Sequence, residues 1–268
     1  MLADVSTARE LGEQLSDDPF TFTARSLLLR GAGRAWFAGP PHRVRSIVVQ
    51  DPWQPTEPRV FGEDPDEIYR LLTEVPGWDC LSCAPALSAG LAATLQRELG
   101  LPTTELAHVH YLLEGDPRPF HHPWVRRLDE SDLALVEEAP ASLRPSGFDS
   151  MLAALSGGIV AGAVHDGRLW AVVAMTLSSE SFANLEAHTL DVARGQGLCT
   201  AAGYLVALEV ERRGLEAVWS AGATDEASRR VARKLGFREI GQLTYVVVPE
   251  LQRTGGYRPS SLPHERRS

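Results

Sequence analysis

Residues 194–200 constrain this chain more than any other stretch. Arg194, Gly195, Gln196, Gly197, Leu198, Cys199 and Thr200 follow a β-like run and open a long apolar-periodic segment that ends at Gly214. Two glycines directly before a helix permit left-handed backbone angles, and they leave the first N–H groups of the helix without side-chain partners. Those groups and the positive end of the helix converge on one point, which suits a pyrophosphate or a similar anion. Neither common phosphate-loop pattern is met: no lysine follows the second glycine, and Thr200 stands where a third glycine would be needed. A tight connection with no ligand is the competing reading, and the rest of the chain has to decide between them.

The second half supplies a regular context. Residues 125–128 read as a short strand, and Asp129 and Asp132 resemble a capping box before a helix over 133–139. Two β-rich runs, 159–164 and 169–177, are joined by His165-Asp166-Gly167, a strong hairpin signal. A third strand over 182–189 precedes the glycine turn, and a helix over 200–213 stops at Gly214. A strand over 217–221, a helix over 225–235 closed by Gly236, and a last strand over 238–248 complete the order β-α-β-β-β-α-β-α-β. That order implies an α/β fold with a mixed sheet.

The first half alternates β-like runs at 35–37, 44–49 and 109–113 with helical patterns over 64–74 and 85–99, after a polar, partly helical lead-in. Asp64-Pro65 reads as an N-cap followed by a first-turn proline. The stretch 114–123 carries three prolines and a glycine and is the expected boundary. The expected division is therefore an N-terminal α/β domain over 1–118, a second domain over 124–250 and a disordered tail over 251–268.

Composition narrows the partners. Over 268 residues the formal net charge is −9, which argues against a nucleic-acid partner. No apolar run approaches the ~20 residues that span a membrane. The acidic N-terminus lacks the order of a signal peptide, and three cysteines do not make a disulfide framework, so a cytoplasmic address is expected. Cys80 and Cys83 have the spacing of a metal or redox pair, yet no second such pair exists, and no metal is expected. His108 and His110 alternate on a strand, and His121 and His122 fall in the linker.

Three elements in this order resemble the GNAT superfamily of N-acetyltransferases. Arg194 to Cys199 matches the Q/R-x-x-G-x-G/A acetyl-coenzyme A motif, with Cys199 in the small-residue place. Asp225, Ser228, Ala232, Lys234, Gly236 and Phe237 follow the family's N-x-x-A/S-x-x-x-Y-x-K-x-G-F helix. Trp219, Ser220 and Ala221 occupy the strand between them. The likeness covers about residues 124–250 and implies a GNAT-like acyltransferase fold with an additional N-terminal α/β domain, for which a degenerate copy of the same fold is one reading.

The resemblance further implies that the pantetheine arm of acetyl-coenzyme A, or another acyl-coenzyme A, adds like a strand where two parallel strands splay. It would pair with backbone around Thr189, Leu190 and Asp191. The pyrophosphate would rest on the N–H groups of Gly195, Gln196, Gly197, Leu198, Cys199 and Thr200, with Arg194 adding a charge and Asp225 an acceptor. Gly197 is expected to be glycine because a Cβ would stand between backbone and phosphate. Glu186 and His188, two apart on one strand face, are the candidate bases. Ala232 replaces the family's tyrosine and cannot donate a proton, so Ser228, Ser220 or Tyr245 would protonate the thiolate, unless it leaves unassisted. The expected activity is acyl transfer to the primary amine of a small molecule, an acceptor that the acidic chain tilts toward cations. An acyl carrier protein as donor and a non-catalytic coenzyme sensor or scaffold are the alternatives. Monomer and homodimer remain open.

Overall fold

The computed structural model describes residues 1–256. It divides into two compact units: residues 1–16, 24–108 and 242–268 form the first, and residues 17–23 and 109–241 the second. Two of the dividing points, after residues 108 and 241, fall inside strands, and the proline-rich stretch 114–123 lies within the second unit. It does so because it is packed: Arg118 donates its N–H to the Leu235 carbonyl at 2.8 Å, and Val125 to His122 at 3.0 Å. Most of the expected tail lies outside the described residues. Pro249–Thr254 is a short helix. Among the described residues no helix is long and apolar enough to cross a membrane.

In the second unit, strand β6 (Val125–Arg127) leads through the predicted capping box to helix α5 (Leu133–Glu138) and then to α6 (Met151–Gly157). The Asp129 and Asp132 carboxylates each accept from the other's end of the box. Helix α6 gives little sequence signal, being two turns long, and Ser150 caps it through the Ala153 N–H. Strands β7 (Ile159–His165), β8 (Arg168–Ser178) and β9 (Phe182–Thr189) form an antiparallel meander. Asp166 and Gly167 both turn through positive φ, +51° and +70°, as a two-residue type I′ hairpin demands. Helix α7 (Leu198–Arg212) crosses over to β10 (Glu216–Gly222), parallel to β9, and helix α8 (Glu226–Leu235) follows.

Alternation along the strands separates two cores. On one face Ala161, Val173 and Leu185 pack with Ala202, Val206 and Val210 of α7 and with Ala232 and Leu235 of α8. On the other, Val160, Val172 and Ala174 meet Val136, Ala154 and Leu155 of α5 and α6. Because β9 pairs Glu186 with Ala174 and His188 with Val172, both side chains belong to the second face.

The first unit repeats this order. An isolated bridge from Leu2 to Trp36 stands in the place of a first strand. Helices α1 (Val5–Gln14) and α2 (Phe22–Leu29) precede three antiparallel strands, β1 (Arg34–Ala38), β2 (Ser46–Gln50) and β3 (Arg59–Phe61). Helix α3 (Pro65–Leu72) leads to β4 (Cys80–Cys83), parallel to β3 through a single pair, Arg59 with Ser82, and α4 (Pro85–Leu99) ends at Gly100 with φ +67°. Strand β3 goes unpredicted because three residues cannot show a period. The closing strands are exchanged. Strand β5 (Thr104–Leu112) follows α4, yet its second half belongs to the second unit, where Leu113 donates to the Ala217 carbonyl at 3.0 Å. Strand β11 (Arg238–Val247) follows α8, yet its residues Thr244, Tyr245, Val246 and Val247 pair antiparallel with β4 in the first.

Candidate active site

The parallel ladder between β9 and β10 runs from Phe182 with Glu216 to Leu185 with Trp219, and stops there. Both strands continue, β9 to Thr189 and β10 to Gly222. The edge of β9 that faces β10 is therefore open from Glu186 onward, directly before the glycine turn. Leu190 and Asp191 are less available than the sequence implies. The Leu190 N–H is committed to the Trp170 carbonyl at 3.0 Å, and the carbonyls of Leu190 and Asp191 accept from Ala193 and Arg194 in a single 3-10 turn.

Helix α7 begins as the glycine pattern predicts. Gly195 and Gly197 have φ of +80° and +83°, and no side chain caps the helix or places an acid in its first turn. The structure gives a second reason for glycine at 197. A Cβ there would stand 3.0 and 3.1 Å from ring carbons of Phe120. Gln196 is exposed and Thr200 buried. Arg194 lies in an exposed ion pair with Asp191 at 2.8 Å, a contact easily exchanged for another anion. Burial pushes the Cys199 thiol up to about 12, with the nearby Thr189 hydroxyl opposing and the Asp225 charge adding to the rise. Cys199 is thus a protonated small side chain.

Glu186 and His188 are brought together. His188 Nε2 lies 2.9 Å from Glu186 Oε1, while Oε2 accepts from the Ser146 N–H at 3.1 Å and the Ser146 hydroxyl at 2.7 Å. Burial raises the Glu186 carboxyl, but the bonds from His188 and from the hydroxyl and amide of Ser146 outweigh it and hold the group below its usual range. An ionised carboxylate only accepts, so the imidazole nitrogen facing it carries the proton. In neutral His188 that leaves Nδ1 as the lone-pair nitrogen. Ser146 is the member of this cluster that the sequence does not reveal. Its only local signal is the Ser146-Gly147 turn dipeptide, and Gly147, at φ +80°, seats that loop against Thr176.

Asp225 caps α8 by accepting from the Ser228 N–H at 3.0 Å, and the Ser228 hydroxyl accepts from the Trp219 indole at 3.0 Å, keeping its own proton to donate. Ala232 is fully buried in the apolar core. Tyr111 of β5 is the tyrosine that meets α8: its hydroxyl accepts from Arg229 Nε at 2.8 Å. Tyr245 belongs to the first unit, opposite Ser82 and tilted by 51° against the His108 ring with centroids 4.7 Å apart. Cys80 and Cys83, three apart on β4, point to opposite faces, and burial pushes both thiols up, Cys83 to about 12.

The family model for GNAT acetyltransferases matches residues 125–246. A search of curated proteins gives no significant match. A solved structure of a GCN5-related N-acetyltransferase-like protein from Streptococcus suis has a TM-score of 0.69 at 17% identity, covering 91% of this chain and 99% of that one. A GCN5-related N-acetyltransferase from Kribbella flavida has a TM-score of 0.55 at 17% identity, covering 82% and 91%. A tandem GNAT protein from the clavulanic acid biosynthesis pathway has a TM-score of 0.54 at 14% identity, covering 90% and 92%. At such identities the likeness is one of fold. Strand order and the fold likeness agree with the family match: residues 125–246 carry a GNAT acetyltransferase domain.

Proposed function

We propose that the second unit transfers an acetyl or other acyl group from acyl-coenzyme A to the primary amine of a small molecule. One observation carries the reading: the β9–β10 ladder ends at Leu185 and Trp219, immediately before a helix start that neither a side chain nor an acid neutralises. A pantetheine arm is a string of amides and can extend an open strand edge. The free N–H groups of Leu198, Cys199 and Thr200 suit its diphosphate.

In this reading the amine nitrogen bonds to the thioester carbonyl carbon and the carbon–sulfur bond breaks. His188 takes the amine proton at Nδ1, directly or through a water. Glu186 is a positioning residue. It fixes the tautomer and stabilises the imidazolium, and Ser146 holds it in place. The Ser228 hydroxyl is the donor for the departing sulfur, replacing the tyrosine absent at Ala232. The acceptor is a cationic amine in its neutral form, in keeping with the net charge of −9.

The test is release of free thiol from acetyl-coenzyme A across a panel of amines, with His188→Ala and Glu186→Gln compared at saturating substrate. His188→Ala should lower kcat by about 10²-fold or more with KM little changed. Near-normal turnover in both variants would remove the assignment. Transfer only from a loaded carrier protein would replace the donor.

A further inference from the structure

Residues 17–23 belong to the second unit, although both of their flanks belong to the first. Three contacts pin this strap. The Asp17 carboxylate accepts from the Ser181 N–H at 3.1 Å, just before β9. The Asp18 carboxylate accepts from the N–H groups of Phe20 and Thr21 at 2.8 and 3.1 Å. The buried Phe22 ring packs against Phe182, with centroids 5.9 Å apart. Phe20 itself stays half-buried. Its ring lies against His110 of β5, centroids 5.2 Å apart, and over β11, where a Cβ on Gly241 would come within 3.0 Å of it.

The register puts this ring level with Glu186. Strand β5 lies beside β10, and β10 beside β9. Leu113 donates to Ala217, while Tyr111 and Trp219 reach adjacent residues of α8, Arg229 and Ser228. Strand β5 therefore runs against β10, with His110 opposite Ser220. Leu185 pairs with Trp219, so Glu186 is level with Ser220. Tyr111, Trp219 and Leu185 face the core under α7 and α8, so His110, Ser220 and Glu186 share the other face. Two strand spacings set His110 about 10 Å from Glu186, and the parting of β9 from β10 widens this. The half-buried Ser220 lies between them. Asp17 is held at Ser181, about 16 Å back along β9, so at the level of Glu186 the strap presents an apolar ring.

We propose that Phe20 is a specificity-determining wall of the acceptor cleft, and that the preferred acceptor is a primary amine with an apolar tail and no second charge. An apolar tail gains by leaving water against the ring, whereas a second ammonium loses hydration where the strap offers no carboxylate to replace it. The strap precedes the span that the family model matches, so this part of the cleft is supplied by the first half of the chain. The proposal rests on acyl transfer with His188 as the base.

Steady-state kinetics of the full chain with pentylamine and with 1,5-diaminopentane, equal in reach and different in the terminal ammonium, test it. Wild type should favour pentylamine by about tenfold or more in kcat/KM. Phe20→Ala should raise KM for pentylamine by about tenfold, with kcat and the KM for acetyl-coenzyme A within about twofold. Methylamine, too short to reach the ring, should be turned over equally by wild type and variant. Phe20→Leu keeps an apolar wall and should retain most of the preference, which covers the case in which alanine unseats the strap. No preference or a preference for the diamine in wild type, or equal losses for pentylamine and methylamine in both variants, would overturn the wall and leave acyl transfer standing. No transfer to any amine would remove both.

Discussion

At Glu186 three donors meet one carboxylate, and the proposed assignment of His188 as the base rests on this. Sequence places Glu186 and His188 on one strand face, but not the Ser146 contact, which closes a gap of 40 residues. Because the folded Glu186 carboxyl lies below its unfolded value, its bonds stabilise the protein fully above the unfolded pKa, about 4.3. That stability is lost as pH falls through the folded value. Urea titrations at a series of acid pH values should therefore show a shallower loss in Glu186→Gln than in wild type below about pH 4; parallel curves would contradict the burial and pairing described. Gly197→Ala faces both a φ of +83° and the Phe120 ring, and should destabilise by about 1–3 kcal/mol in urea unfolding. Cys83 and Cys199, with thiols near 12, should not react with a thiol reagent at pH 8 until the chain is denatured.

The elements that sequence reveals best are those with a local cause. Strand β9 occupies the expected 182–189, and the hairpin at Asp166-Gly167 and the stop at Gly236 are set by backbone angles that few residues accept. Elements held by tertiary packing, such as α6 and β3, leave no such mark. The equivalent helices α3 and α7 differ at their starts. At α3 the Asp64 carboxylate accepts from the N–H groups of Asp66 and Glu67, Pro65 removes another donor, and two acids follow in the first turn. At α7 none of these is present. Calorimetry with acetyl-coenzyme A should accordingly give one site per chain, whereas two equivalent sites would contradict the reading of α3 as self-capped.

At the scale of the molecule, the order of one unit recurs in the other, and their final strands are exchanged. The recurrence escapes the sequence because it is one of topology, carried by different residues in each half. The exchange also makes the matched span incomplete as a folding unit. A chain cut to residues 124–250 loses Val109, Tyr111 and Leu113 from the second unit's core. At ~2–3 kcal/mol for each large side chain this is roughly 6–9 kcal/mol, comparable to the whole stability of a domain. Such a fragment should show no cooperative thermal transition, while one beginning at residue 109 should regain part of it. In the proposed function the second unit seats an acyl-coenzyme A between an open strand edge and an uncapped helix. Thermal unfolding of the full chain with acetyl-coenzyme A measures it most directly. The melting temperature should rise with ligand concentration, by the ~3 kcal/mol of stabilisation expected at a hundredfold excess over Kd, with a smaller rise in Gly197→Ala. No rise at millimolar ligand would contradict it.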